Sequence, residues 1–171
     1  VEAPTTETSL LVPALVLTAI LSLALYFFWY RPAVVPAGPD CQAPPAPAVN
    51  WSGCGMAGRS LGRADLREAN LGSIVLTRAD LHNANLTRSD LRHADLEGAN
   101  LHVASLREVN LTGALLRNAI LTRADLRDAD LSYATLQDAS LEGARLEGAK
   151  LGKTIWTDGR MCAPESIGEC R

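Results

Sequence analysis

From Leu61 to Leu151 a leucine stands at every fifth position, nineteen in succession without a gap, and a small residue, most often alanine, stands two positions before all but three of them, the exceptions being Arg59, Ile74 and Val109. The other three positions of each unit are almost all polar. A period of five suits neither common element. On an α-helix each residue turns ~100°, so five residues advance ~500° and successive leucines scatter around the cylinder. On a flat strand the side-chain period is two, so alternate leucines would point to opposite faces. Strict self-similarity at a fixed period indicates a stacked array. Each five-residue unit is expected to make one short side, with its leucine and small residue inward, and then a corner.

A second pattern precedes the array. Residues 10–30, LLVPALVLTAILSLALYFFWY, run for 21 residues without a charge. As a helix rising 1.5 Å per residue they would span ~30 Å, the hydrocarbon thickness of a bilayer. Tyr26, Trp29 and Tyr30 gather at one end, where an aromatic belt belongs. Pro13 lies near the other end, where a helix tolerates it. Ala14, Ala19 and Ala24 are small enough for close helix packing, and Thr18 and Ser22 are the polar groups. A secretory signal peptide would carry a shorter apolar stretch behind a basic flank; this flank carries Glu2 and Glu7. The pattern predicts a single-pass transmembrane helix held in the lipid bilayer.

The repeat itself is specific. Ala64-Asp65-Leu66-Arg67-Glu68, Ala69-Asn70-Leu71, Ala79-Asp80-Leu81 and Ala124-Asp125-Leu126 follow A-[DN]-L-x-x, and this motif resembles that of the pentapeptide-repeat family. The resemblance covers about Arg59 to Lys153. It implies an all-β solenoid, a right-handed quadrilateral β-helix with four pentapeptides per coil. At 20 residues per coil, 95 residues make about 4.75 coils, and layers ~4.8 Å apart give a rod ~23 Å long. Each buried leucine contributes ~1.5–3 kcal/mol before entropy is counted. Ile74 and Val109 replace the inward alanine, while Val75, Leu115 and Ile120 replace the polar residue before leucine.

The expected organisation is therefore a flank over 1–9, the transmembrane helix over 10–30, a proline-rich linker over 31–50, an N-terminal cap over 51–58, the β-helix over 59–153 and a C-terminal cap over 154–171. Proline-rich linkers are extended, at ~3.1 Å per residue, so 31–50 reads as a spacer or as a polyproline segment docked in a groove. Solenoid ends need covers. Trp51 and Met56 are the expected lids at one end, and Ile155, Trp156 and Ile167 at the other. Covered ends argue against end-to-end stacking of rods.

Four cysteines flank the repeat and none lies within it. Four allow three pairings. Cys41 with Cys54 and Cys162 with Cys170 is the preferred one, because each pair is close in sequence and the two ends of the rod are far apart. The intervals are too long for the C-x2-4-C spacing of a zinc site. Paired cysteines favour an oxidising compartment. Arg31, just after the apolar segment, points the other way under the positive-inside rule. It is a single charge, and the sequence opens on Val1 without methionine, which leaves upstream basic residues open. The expectation is a bacterial inner-membrane protein with its repeat in the periplasm.

Charge narrows the function. The chain carries a net −3. Between Arg59 and Lys153, 11 Arg and 2 Lys balance 13 Asp and Glu, a net of zero. Some pentapeptide-repeat proteins resemble duplex DNA and bind DNA gyrase, but such mimicry calls for an acidic rod, so a topoisomerase-binding role is disfavoured. A balanced rod equally lacks the basic excess of a nucleic-acid binder. No nucleophile with a base, phosphate loop or hydrolytic motif occurs, so no catalytic residue, cofactor or small-molecule substrate is assigned. Asp and Asn recur as turn formers. His82 and His102 are twenty residues apart and fall one layer apart in the same column, which raises metal binding against two solvated surface rings; His93 lies two sides away.

A scaffold or interaction role remains. Val75, Val103, Leu115 and Ile120 interrupt the polar exterior and are candidates for an apolar contact patch. Arg67, Arg107 and Arg127 share a column and are candidates for carboxylate contacts. The leading expectation is a non-catalytic accessory subunit that braces or covers a larger inner-membrane complex, of photosynthetic or respiratory type, through contacts with its integral membrane subunits. The alternative is a free envelope rod that contacts the cell wall or periplasmic partners.

Overall fold

The computed structural model describes residues 38–171. The chain divides into two units, Val1–Pro36 and Ala37–Arg171. The expected flank, transmembrane helix, aromatic belt and first part of the linker lie outside the described residues, among which no helix is long and apolar enough to cross a membrane.

From Asn50 the described residues form a four-sided coil in which every fifth residue bridges to the one twenty positions on. Parallel bridges begin at Asn50 with Asn70 and run unbroken to Thr135 with Ile155. They build four columns, one per side, which are named here by Asp65, Asn70, Val75 and Asp80. On each side the residue before leucine points outward and the leucine and the residue two before it point inward. Leu66 through Leu136 are 0–1% exposed at every fifth position. The small residue is what lets four leucines meet in one narrow layer.

One unit shows how the corner is made. The Ala69 N–H donates to the Leu66 carbonyl at 3.2 Å, closing a β-turn over Leu66-Arg67-Glu68-Ala69. Glu68, its third residue, has φ of +59°, as a type II turn requires. The Leu66 N–H donates up to the Asn85 carbonyl at 2.8 Å, and the Asn85 N–H returns to the Ala64 carbonyl at 2.9 Å. The outward Asp or Asn finishes the corner. Asp90 Oδ1 accepts from the Arg92 N–H at 3.1 Å and Asn110 Oδ1 from the Thr112 N–H at 3.1 Å, and the same bond recurs on all four sides. The carboxamide or carboxylate thus serves a backbone donor that no layer reaches.

The coil is longer than the strict leucine string. Trp51 and Met56, expected as lids, occupy the next two leucine positions toward the N-terminus and are 1% and 3% exposed. Their N–H groups bond Asn70 and Val75 in the ordinary register. Ile155 likewise pairs with Thr135, and Trp156 packs half-buried in a leucine slot. The repeat therefore continues into both expected caps. What closes the N-terminus is the Cys41–Cys54 disulfide, with Cys54 1% exposed.

At the C-terminus the chain reverses. Ile155 pairs antiparallel with Met161, and Lys150 with Ile167. Leu151 N–H donates to Ser166 and Gly168 N–H to Ala149 at 2.8 Å each. The Cys162–Cys170 disulfide closes this tail. Ile167, expected to cover the core, is 60% exposed, because it contributes its backbone to the last layer and turns its side chain outward. The tail covers only the Asn70 and Val75 sides. On the other two, Leu141 and Leu146 are half-buried, and the N–H groups of Leu141, Gly143, Leu146 and Gly148 donate to no described residue. The expectation of a fully covered end does not hold for these two sides.

Candidate functional site

The four apolar candidates fall on two neighbouring sides. Val75 and Leu115 stand in the same column, two layers apart, whereas Ile120 stands on the next side, in the column of Asp80 and Asn100. Val103 is the corner residue after Leu101, one layer below Ile120 and on the far edge of that side. All four are exposed, from Val75 at 37% to Leu115 at 45%. Val75 and Leu115 thus belong to one side and Ile120 and Val103 to the next.

Val103 carries a backbone cost. Its φ is +57°, a conformation that disfavours β-branched residues. Asn83 holds the same corner one layer below without that penalty, with φ of +55°. A strained, exposed valine is a poor choice for the rod alone.

The arginine column is largely neutralised. Arg67 Nη2 lies 2.7 Å from Asp65 Oδ2, and Arg127 pairs with Asp125 in the same way. Arg92 pairs with Asp90 on the neighbouring side at 2.6 Å. The rule behind these pairs is sequential: an Asp before leucine and an Arg after it share one face. Hydrogen bonding from Arg67, Arg92 and Arg127 holds the carboxyls of Asp65, Asp90 and Asp125 below their ordinary value. Arg107 follows Ser105 instead of Asp, and no carboxylate among the described residues pairs with it. Arg88 bridges Glu68 and Glu108 in the layers on either side, at 3.8 and 3.1 Å.

The stacked histidines part company. His82 Nδ1 contacts Asp80 Oδ1 at 2.9 Å, and this contact, first among its causes, lowers the Asp80 carboxyl. His102 Nδ1 lies 2.6 Å from Thr122 Oγ1. The latter is a hydroxyl–imidazole pair, but no described residue holds the far ring nitrogen, so the third member of a hydrolytic arrangement is missing. No described group of His, Cys, Asp and Glu is placed to hold a metal ion. Surface hollows are shallow; one of about 730 Å³ lies along the corner at Gly58, Arg78, Glu97, Gly98 and Asn118, where two glycines leave the corner bare.

Three surface features escaped the sequence reading. Tyr133 is 60% exposed at a corner beside the Val75 side, and Lys153 Nζ stands 5.3 Å from its ring centre. It is the only aromatic residue between Arg59 and Lys153, and that rarity was the available signal. Met161 is 66% exposed and extends the Val75 column by one layer. Thr135, between Leu115 and Ile155, is 7% exposed, and its hydroxyl makes no hydrogen bond among the described residues.

A closed core, regular flat sides and shallow hollows define a β-solenoid of the interaction type, with nothing in it that shows catalysis. The model for pentapeptide repeats matches in eight copies over residues 64–102, 84–123 and 110–148. The chain belongs to the pentapeptide-repeat family, and the fold is its right-handed quadrilateral β-helix. Among solved structures, HetL, a pentapeptide repeat protein involved in heterocyst differentiation regulation from the cyanobacterium Nostoc sp. strain PCC 7120, is 29% identical; the match covers 70% of this chain and 67% of that one, with a TM-score of 0.53. QnrB1, a plasmid-mediated fluoroquinolone resistance protein, is 23% identical over 63% of this chain and 58% of that one, with a TM-score of 0.52, and is similar in fold alone. Rfr23 from the cyanobacterium Cyanothece 51142 is 29% identical over 63% of this chain and 90% of that one, with a TM-score of 0.49. No curated protein matches the chain.

Proposed function

We propose that this protein is a non-catalytic accessory subunit of an inner-membrane assembly, anchored through residues 10–30, whose rod lies in the periplasm and rests on a larger partner. The carrying observation is Val103 at the corner of the side that carries Ile120 one layer above. A β-branched residue at a left-handed corner costs stability, and its exposed side chain adds an apolar contact that the rod does not use. A preformed flat side binds at little cost in ordering. The uncharged stretch over 10–30 supports attachment to a bilayer, and the two disulfides support an oxidising compartment.

A DNA-shaped topoisomerase binder shares the fold. The surface disfavours it, because carboxylates and guanidiniums alternate and pair along the corners instead of forming a continuous negative field. The test is to extract native membranes in mild detergent, recover the tagged chain and identify stoichiometric companions by mass spectrometry. A fixed set of integral membrane subunits, lost on Ile120→Glu with the rod still folded, supports the proposal. Recovery alone or with wall fragments sinks it, and recovery with a topoisomerase supports the alternative.

A further inference from the structure

The outward column of the Val75 side reads the same in chemical complement from both ends. Leu115 stands at its centre. One layer out on either hand are Asp95 and Thr135, then Val75 and Ile155, then Gly55 and Met161. Turning a second copy end for end and laying the same side against the first sets Leu115 on Leu115. Asp95 meets Thr135, Val75 meets Ile155, and Gly55 meets Met161. Each contact other than the central one occurs twice, as a two-fold interface requires.

The pairs fit in polarity as well as in order. Thr135 is 7% exposed, and its hydroxyl makes no hydrogen bond among the described residues while its oxygen keeps access to solvent, so it is free to donate to an incoming acceptor. Asp95 accepts one backbone bond, from the Glu97 N–H at 3.1 Å, and pairs with no described cation. The Thr135 hydroxyl donates to the Asp95 carboxylate of the second copy. Gly55 has open space where a side chain would begin, which receives the protruding Met161. Along the rim, Arg78 has no described carboxylate partner and falls opposite Asp158, which in one copy pairs only with Arg160 at 3.3 Å across an exposed surface. Rods laid the other way, both running in one direction, would put Asp95 against Asp95.

We propose that the Val75 side is a self-association surface on which two copies pack antiparallel, centred on Leu115. The occupant is a second copy of this chain because the column complements itself in hydrogen bonding and size, and the two Arg78–Asp158 rim pairs offset the Arg117 that the two-fold sets against its own copy. Seven layers at ~4.8 Å make a stripe ~29 Å long and one side wide, at the small end of specific interfaces, so the dimer is weak and concentration-dependent. It leaves Val103 and Ile120, on the next side, free for the partner proposed above, and does not depend on that reading.

The experiment is sedimentation equilibrium of the full chain in density-matched mild detergent over a hundredfold concentration range. The expected result is a monomer–dimer equilibrium that Leu115→Glu weakens at least ~10-fold while Ile120→Glu leaves it unchanged. Arg78→Asp and Asp158→Arg each weaken it severalfold, and the double variant restores it; both positions are at the exposed rim, so folding is not at issue. A photo-crosslinker at position 115 joins 115 to 115. A chain that stays monomeric throughout, a dimer indifferent to Leu115→Glu, or a double variant no better than the singles overturns the proposal. The last two place any association elsewhere in the chain.

Discussion

The imidazole of His82 occupies the space a side chain on Gly62 would need: a Cβ built on Gly62 would stand 2.6 Å from His82 Nδ1. The ring leans down one layer, and only a bare residue beneath lets it hold Asp80. Gly62→Ala is expected to swing the ring away and break that contact. The Asp80 carboxyl, held below its ordinary value chiefly by His82, then returns toward that value. Carboxyl-carbon NMR titration follows it directly; an unchanged Asp80 midpoint would show that the ring does not move.

Asp125 and Arg127 are the least exposed of the Asp–Arg corner pairs, with side chains 22% and 26% exposed. Hydrogen bonding to Arg127 lowers the Asp125 carboxyl in the folded state. A group depressed on folding contributes stability above its unfolded value of ~3.9, and that contribution disappears as pH falls through the folded value. Denaturant unfolding should give constant stability from about pH 8 to about pH 5 and a fall below about pH 4. Asp125→Asn should flatten part of that fall. A variant with the full acid slope would remove this pair from the cause.

Val103→Asn should stabilise the rod by about 1 kcal/mol, since it relieves a β-branched residue at positive φ in a corner that Asn83 already fills one layer below. A rise of a few degrees in Tm is the expected reading. The same variant should weaken recovery of partner subunits. Stabilisation with undiminished recovery would show that the valine is not retained for contact.

Each disulfide closes a short loop, with a sequence separation of 13 from Cys41 to Cys54 and of 8 from Cys162 to Cys170. The chain-entropy relation assigns them about 3 and about 2.5 kcal/mol. Because each coil contacts only its neighbours, the loss is local. On reduction, amide exchange should quicken around Trp51–Leu61 and over 154–171, while the coil around Leu101 keeps its protection. Uniform loss of protection would mean that the rod unfolds as one unit.

The period of five was legible because the core takes leucine and a small neighbour at fixed spacing in almost every unit, and the cysteine pairs were legible because the ends are far apart. The true ends of the coil were not. Trp51 and Met56 continue the spacing but break the leucine identity, so they read as lids although their positions already placed them inside. Trp51 fills its slot with an indole N–H that finds no acceptor, a mismatch visible only in three dimensions. The corner strain at Val103 was hidden because third turn positions hold residues as varied as Arg88, His93, Asp128 and Tyr133. The sides of the apolar candidates were legible from the spacing: Leu115 and Ile120 are five residues apart, and five residues here mean the next side of the rod.

That last relation makes the coil an indexing device. Duplicating twenty residues of coding sequence lengthens the rod by one layer and leaves every downstream side facing as before. Inserting or deleting a single pentapeptide instead turns everything after it through a quarter revolution, carrying downstream apolar positions onto another side while the core stays intact. Such a chain can redirect its contacts without evolving a new one.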